Sequence, residues 1–163
     1  MSRNLNIRRY RPEDAEAIAR LYEKSVREIA IEKYTPEEVD AWASYADEIE
    51  ELRHRLAEGL TLVAEDGVMI VSFGQLKPVD HIAFLYTLKD YSRKGIASVI
   101  YKLLEDHAAM KGTEYLTTDA SRISKPLFKK LGFKLVCTVV ERRKGVDIEC
   151  FKMKKELRVN KGI

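Results

Sequence analysis

Apolar residues recur along this chain with two periods, one typical of helices and the other of strands. Spacings of three and four predict a first helix with its stripe from Ala15 to Ile29, a second that begins at Thr35-Pro36, and a charged third over 46–56. A capping pattern supports the second helix, because Glu38 follows Thr35 at the required distance. The segments whose alternating or short continuous apolar runs predict strands are 5–10, 60–65, 68–73, 82–86, 115–119, 133–141 and 146–153.

The stretch from His81 to His107 joins a buried strand, a short basic turn and an amphipathic helix. Its continuous apolar run over 82–86 predicts a strand that is covered on both faces. The helix is expected to begin at Gly95. The apolar residues on one face of this helix are Ile96, Val99, Ile100, Leu103 and Leu104. A further short helix over 124–131 is expected to end at Gly132.

The order of these elements predicts an α/β (α+β) fold, in which a mixed central sheet carries helices on both faces. At 163 residues, of which 45% are hydrophobic, the chain fits one domain. We expect residues 1–163 to form this single domain, with a folded core over about 3–156 and a short polar tail over 157–163.

Composition excludes several classes of function. A net charge of +3 is too small to indicate a nucleic-acid partner. No apolar run approaches the roughly 20 residues that span a membrane, and residues 1–7 lack the apolar core of a signal peptide. Two cysteines make no disulfide framework, so they predict a reducing, cytoplasmic location. If the last hairpin turns over 142–145, Cys137 faces Cys150, and both are expected to be free thiols.

The turn over 92–98 has the features of an anion site. Gly95 lets the backbone approach a ligand, and a helix that starts there directs free N–H groups outward. Arg93 and Lys94 add positive charge, so a phosphate is the ligand that suits this turn best. Neither G-x-x-x-x-G-K-[ST] nor G-x-G-x-x-G occurs in the chain. The turn therefore indicates a pyrophosphate site without the glycine pattern of the common nucleotide folds.

Residues 92–97, SRKGIA, resemble motif A of the GNAT N-acetyltransferase family, [Gln/Arg]-x-x-Gly-x-[Gly/Ala]. The glycine and the final alanine match, whereas Ser92 stands where the family has Gln or Arg. Residues 127–133, LFKKLGF, are similar to the family's F-Y-x-K-x-G-F segment. Residues 34–43 and 119–126 further resemble the YafP-like subgroup of small prokaryotic members.

The resemblance implies a GNAT fold with a mostly antiparallel sheet and an acetyl-CoA cleft at the splay between the fourth and fifth strands. It also implies acetyl-CoA as cosubstrate and no metal. The residues that the motif match assigns to the pyrophosphate are Arg93, Lys94, Gly95, Ile96, Ala97 and Ser98. Leu85, Tyr86 and Thr87 are expected to offer backbone N–H groups to the thioester where the sheet splays.

Two further coenzyme positions carry over from the family, each with an alternative. Ser121 stands where members often have Asn, and it keeps a hydroxyl for the coenzyme; a loop or cap serine explains it equally well. Phe128 stands where many members have the tyrosine that protonates the departing thiolate, and it has no proton to give. Its ring packs either against the coenzyme or in the core.

His81 is the candidate general base, because it lies upstream of the N–H donors on their strand and imidazole titrates near neutral pH. A packing role at the end of the strand is the alternative, and Asp119 and Asp80 are the reserve bases. Tyr34 and Trp42 are expected to line the acceptor pocket, although helix packing also explains Trp42.

Together these residues predict an acetyl-CoA-dependent N-acetyltransferase that moves an acetyl group directly to a primary amine of a small molecule or a protein. A non-catalytic acetyl-CoA binding or sensing module is the alternative, because the tyrosine is missing at Phe128. The expected partners are acetyl-CoA and an amine acceptor, without nucleic acid or membrane. A homodimer is left open.

Overall fold

Seven strands form one sheet in the computed structural model, which describes residues 5–157. The strands are β1 (Leu5–Arg9), β2 (Leu60–Asp66), β3 (Met69–Leu76), β4 (His81–Thr87), β5 (Tyr115–Ala120), β6 (Lys134–Arg143) and β7 (Val146–Glu156). The helices are α1 (Ala15–Ile29), α2 (Pro36–Ala43), α3 (Ile49–Leu56), α4 (Ile96–Met110) and α5 (Lys125–Lys130). The polar tail predicted over 157–163 lies, except for Leu157, outside the described residues.

The strand order across the sheet is β1-β2-β3-β4-β5-β7-β6. Every neighbouring pair is antiparallel except β4 and β5, which run parallel because α4 crosses over between them. The sheet is therefore mixed and mostly antiparallel. Both the predicted fold class and the predicted order of the elements are confirmed.

Helices cover both faces of the sheet, as predicted. One apolar cluster, which includes Leu52 and Phe73, packs α1, α2 and α3 on the first face. Successive strand residues point to opposite faces, so Gly74 points away from Phe73. A Cβ at Gly74 would meet the side chain of Ile100 at 2.8 Å and that of Leu104 at 3.2 Å, so α4 packs closely on the second face.

Capping fixes the start of α2 as the sequence predicts. The hydroxyl of Thr35 accepts from the Glu38 N–H (3.1 Å), and the Glu38 carboxylate accepts from the Thr35 N–H (2.9 Å). The start of α3 was predicted wrongly at residue 46, because Ser44–Asp47 form a 3₁₀ turn and the α-helix begins only at Ile49.

Helix α4 begins directly after Gly95, as predicted, but its buried face differs from the predicted stripe. Val99 and Leu103 are 50% and 43% exposed. The face that packs on the sheet repeats mainly every four residues and consists of Ile96, Ile100, Tyr101, Leu104 and Ala108. The strand prediction also differed at β6 and β7, which are longer than expected.

The register of the β6–β7 hairpin was predicted wrongly by two residues. Arg143 pairs with Val146, so only Lys144 and Gly145 form the loop. Both have positive φ (49° and 76°), as a two-residue type I′ turn requires. Val139 therefore faces Cys150, while Cys137 lies opposite Lys152; both cysteines are free thiols.

Candidate functional site

Strands β4 and β5 pair over only two residues of each, at the start of β4 and the middle of β5. Their ladder consists of His81 with Thr117 and Ile82 with Thr118, and beyond this point the two strands separate. On the other side of β4 the pairing with β3 contains a bulge, because Gln75 faces Phe84 while the next residue faces Ile82. The extra residue is Ala83. The parallel strands therefore splay apart along 83–87, which also explains why the predicted burial of both faces holds only for part of β4.

The register identifies the backbone groups that face this splay. Leu88 donates its N–H to Val71 (2.9 Å), and alternate residues of an antiparallel strand direct their N–H groups to the same neighbour. The N–H of Tyr86 thus faces β3, which corrects the expectation that it faces the splay. The N–H groups of Leu85 and Thr87 face the side from which β5 has departed. The carbonyl of Thr87 on that side accepts from the Ser25 hydroxyl (3.0 Å).

The turn before α4 has a conformation that exposes its backbone donors. Arg93 and Gly95 have φ of 59° and 83°. The first α-helical hydrogen bond of α4 runs from Val99 N–H to the Gly95 carbonyl (3.1 Å). Among the described contacts, no protein group accepts from the five N–H groups over 94–98, as expected where a helix begins.

The side chains of this turn add positive charge. Arg93 and Lys94 are both exposed, and the ammonium of Lys94 lies 5.9 Å from the centre of the Tyr91 ring. Ser92, at the position where the predicted motif departs from its family, donates to the Lys89 carbonyl (2.6 Å) and so closes the turn locally. Five open N–H groups beside two cations suit a phosphate.

His81 lies at the narrow end of the splay and bridges β4 to β5. Its Nδ1 is 2.7 Å from the Thr117 hydroxyl, and its Nε2 is 3.7 Å from the Asp119 carboxylate. The Asp119 carboxylate also accepts from Lys152 (3.3 Å). Burial is the main influence on the imidazole and lowers the pKa of His81 below its ordinary value of 6.5; Asp119 opposes this shift and Lys152 adds to it.

The Thr117 hydroxyl determines which nitrogen of neutral His81 holds the proton. When its single proton is donated to the Asp80 carbonyl (3.3 Å), the hydroxyl accepts from the imidazole Nδ1–H (2.7 Å). Nε2 then carries the lone pair and faces Asp119. A neutral imidazole in this tautomer can accept a proton at Nε2.

An open cavity of about 240 Å³ extends from the splay across the α1–α2 face of the sheet. Its aromatic lining residues are Tyr22, Tyr34, Trp42, Tyr45, Phe84 and Tyr86. Both predicted acceptor residues are therefore in the wall of one cavity with His81 and Asp119. The Tyr34 and Trp42 rings pack edge to face, 5.4 Å apart, and the indole N–H donates to the Tyr86 hydroxyl (3.3 Å).

Ser121 and Phe128, which were predicted to contact the coenzyme, both interact with nearby residues of the protein. The Ser121 hydroxyl accepts from the N–H groups of Ile123 and Ser124 (3.1 Å each), which is the cap role considered as its alternative. Phe128 is only 3% exposed and packs edge to face on Phe133, with ring centres 5.1 Å apart. This placement favours the core alternative for Phe128.

Several residues of the cavity were missed by the sequence analysis. Tyr22 and Phe84 were assigned only to apolar patterns, which do not show that such a side chain also borders a cavity. The sequence analysis placed Arg55 on the charged helix over 46–56 and Arg143 in the hairpin turn over 142–145. Only the packing of α3 and of the β6–β7 hairpin against the sheet brings them to this cavity. Thr117 carried no signal, because its role depends on the parallel pairing with His81.

Two classes of feature are missing from the part of the chain that the structure describes. Over residues 5–157, no group of three or more His, Cys, Asp or Glu side chains is arranged to hold a metal ion. Over the same residues, no helix has the length and apolar character needed to cross a membrane.

Comparison with known proteins assigns the chain to a family. The acetyltransferase (GNAT) domain family matches residues 30–157. The chain is 32% identical to the uncharacterized N-acetyltransferase YafP of Escherichia coli K12 over 136 aligned residues. The alignment covers 82% of this chain and 83% of YafP. The chain therefore belongs to the GNAT acetyltransferase family, and it is an acyltransferase.

Solved structures agree with this assignment. A GCN5-related N-acetyltransferase from Rhodopseudomonas palustris superposes with a TM-score of 0.91 at 32% identity, over 96% of this chain and 99% of the other. The PaiA N-acetyltransferase of Thermoplasma acidophilum, solved in complex with coenzyme A, has a TM-score of 0.75 at 21% identity, over 96% and 100% of the two chains. At 21% identity, this second comparison shows that the two proteins share a fold.

Proposed function

We propose that this protein transfers the acetyl group of acetyl-CoA directly to a primary amine of a small molecule or a protein. The observation that carries the proposal is one continuous arrangement: open N–H groups before α4, a splay between β4 and β5, and a histidine with an available lone pair beside a cavity. The coenzyme A bound to the Thermoplasma acidophilum neighbour supports the choice of donor.

The N-terminal turn of α4 supplies the coenzyme site in this proposal. The pyrophosphate accepts from the N–H groups over 94–98, and Arg93 and Lys94 neutralise its charge. The pantetheine then extends into the splay, where the N–H groups of Leu85 and Thr87 have no strand partner. These donors polarise the thioester carbonyl and stabilise the negative charge that develops on its oxygen during attack.

His81 acts as the general base. The amine nitrogen attacks the thioester carbon, the new C–N bond forms and the C–S bond breaks, while the proton of the amine passes to Nε2 of His81 directly or through water. Because burial lowers the pKa of His81, the imidazole is in its neutral, proton-accepting form at neutral pH. Asp119 attracts the cationic amine before it loses its proton and is the reserve base.

The thiolate leaves without a tyrosine to protonate it, since Phe128 is buried in the core. A thiol has a pKa near 8.5, so the thiolate is a tolerable leaving group, and water can supply its proton. An ordinary amine is mostly protonated at neutral pH. Removal of its proton is therefore the larger requirement, and the site provides a base for that step.

We further propose that the reaction takes place in the cytoplasm. The free thiols of Cys137 and Cys150 fit a reducing compartment, and burial raises the pKa of Cys150 to about 11, which keeps that thiol protonated and unreactive. Thiol titration of denatured, freshly purified protein should find two free groups. A finding of none would contradict this location.

Turnover with a panel of amines tests the function. Thiol release from acetyl-CoA should depend on the amine, and mass spectrometry should find one acetyl group added to it. The panel should contain alkyl amines, aryl-substituted amines, amino acids and lysine peptides. Coenzyme binding without turnover on any of these would instead favour the non-catalytic module, and absence of coenzyme binding would contradict both.

A further inference from the structure

The charged side chains around the cavity are mostly neutralised by protein partners. The pairs that involve a lining residue are Lys77 with Glu58 (3.3 Å), Asp119 with Lys152 (3.3 Å), Arg143 with Glu141 (3.2 Å) and Glu149 with Arg122 (3.4 Å). Each of these cations or carboxylates has an opposite charge within reach. A charge that lacks such a partner is therefore the exception in this wall.

Arg55 is that exception. Among the described residues, no carboxylate lies within ion-pair distance of its guanidinium, which lines the cavity. The group is nevertheless held in place. It donates to the Tyr45 hydroxyl (2.8 Å), and its central carbon lies 4.7 Å from the centre of the Phe84 ring and 5.3 Å from that of Tyr45. Such stacking leaves the other N–H donors of the guanidinium for a ligand.

Arg55 borders the cavity on the side opposite the proposed acetyl-transfer site. Its backbone carbonyl accepts from Gln75 on β3 (2.6 Å), and β3 adjoins one edge of β4. His81 and Asp119 meet at the other edge, where β4 begins to pair with β5. The unpaired guanidinium of Arg55 and the imidazole of His81 thus line the same cavity, from the β3 side and the β5 side of β4 respectively.

We propose that the acceptor is an amine whose aromatic or apolar body also carries a carboxylate or similar anion, and that Arg55 binds this anion. This inference rests on the proposed function, because it assigns the chemical class of the acceptor. A guanidinium binds a carboxylate through two parallel hydrogen bonds, which fixes direction as well as position. With its anion at Arg55, the acceptor extends its amine towards His81 and Asp119.

The test compares two acceptors that differ only in the anion, 4-(aminomethyl)benzoate and benzylamine. We expect the wild-type protein to prefer the first by about tenfold or more in kcat/KM, the weight of one charge-assisted contact. Arg55→Gln should reduce that ratio to close to one, mainly by raising KM for 4-(aminomethyl)benzoate. A third acceptor, 4-(aminomethyl)benzylamine, carries a cation in place of the carboxylate. Arg55→Glu should prefer this acceptor to 4-(aminomethyl)benzoate.

Arg53→Gln is the matched control. Arg53 lies on the same helix, pairs with Glu50 and does not line the cavity, so its substitution should leave the ratio unchanged. If Arg55→Gln lowered kcat/KM equally for both acceptors, so that their ratio stayed at the wild-type value, the inference would be overturned.

Benzoate, which has no amine, separates this inference from the proposed function. Calorimetry should show that benzoate binds the wild-type protein and the Arg53→Gln variant, and binds Arg55→Gln at least about tenfold more weakly. This result would support the anion site even if no amine were acetylated. Benzoate affinity that is absent from the wild type, or that is independent of Arg55, would reject the anion site even if benzylamine were a good acceptor.

Discussion

The two nitrogens of His81 have different tasks because they have different neighbours. Nδ1 lies 2.7 Å from the Thr117 hydroxyl, which also contacts the Asp80 carbonyl, and Nε2 faces Asp119. Burial favours the neutral ring. The direction of the hydrogen bond with this hydroxyl sets the tautomer, while the electrostatic balance of Asp119 and Lys152 adjusts the pKa. A small set of residues on three neighbouring strands therefore defines the proposed base.

His81→Ala should lower kcat by about 10²–10⁴, the usual weight of a general base, and should leave acetyl-CoA affinity intact. The acidic limb of the pH–rate profile, which falls below pH 6.5 in the wild type because burial depresses the pKa of His81, should disappear. His54→Ala is the control, because the His54 side chain is 82% exposed. Full activity with an unshifted profile in His81→Ala would assign the base to Asp119 or to water.

Asp119→Asn and Lys152→Gln should move the acidic limb in opposite directions. The Asp119 carboxylate raises the pKa of His81, so its loss lets the imidazole stay neutral to lower pH, and the limb shifts down. Lys152 lowers that pKa, so its loss shifts the limb up. Profiles of kcat/KM measured at several ionic strengths check both signs. Shifts in the same direction would show that the limb does not report His81.

At the scale of elements, the sequence best predicted those structural features that are determined by residues close together in the chain. The capping box at Thr35, the start of α4 after Gly95 and the order of elements follow from local patterns, and all are confirmed. The hairpin register was wrong because nothing in the sequence indicated that Lys144 adopts positive φ. The bulge at Ala83 depends on pairing between β3 and β4, and it decides which N–H groups face the splay.

The two ends of α4 allow a matched test of the pyrophosphate site. Gly95 and Gly112 have φ of 83° and 82°, and at neither would a Cβ meet an atom within 4 Å. Aspartate at either position should incur about 1–2 kcal/mol from the left-handed backbone, which the helix N-terminus partly offsets at 95 and the helix C-terminus does not offset at 112. Only Gly95→Asp places a carboxylate beside the open N–H groups.

Calorimetry should show that Gly95→Asp loses acetyl-CoA binding and that Gly112→Asp keeps it, while thermal unfolding should show that Gly95→Asp loses no more stability than Gly112→Asp. If both variants bound the coenzyme equally well, the pyrophosphate would have to lie elsewhere.

At the scale of the whole molecule, the cavity depends on contacts that no local pattern contains. Its wall combines Arg55 from α3, Trp42 from α2 and Glu149 from β7 with residues of β4 and β5. Tyr34 connects distant parts of this wall, because its hydroxyl accepts from the Arg122 N–H (2.8 Å) and the Arg122 guanidinium stacks on its ring at 4.7 Å. The coenzyme turn could be found from the sequence since it is contiguous. Tyr34 and Trp42 of the acceptor cavity were also predicted, but lining residues such as Arg55 could not be, because they meet the others only in the folded sheet.

The single sheet shared by both apolar clusters predicts one cooperative unfolding unit. Leu52 and Leu104 are both 0% exposed, in the clusters that contain α1–α3 and α4–α5 respectively. Alanine at either position should cost about 2–5 kcal/mol, because each truncation leaves a cavity that the packed sheet cannot close. For a chain of this size, each kcal/mol lowers Tm by about 2–4 °C.

Calorimetry should find one transition in each variant, with van't Hoff and calorimetric enthalpies equal, shifted down as a whole. Val68→Ala is the control: Val68 is fully exposed, so its truncation should change stability by less than about 0.5 kcal/mol. The competing outcome is a divided transition in which Leu52→Ala moves one phase and Leu104→Ala the other. That result would mean that the two faces of the sheet unfold separately, and the chain would then contain two cooperative units in place of the single domain predicted for it.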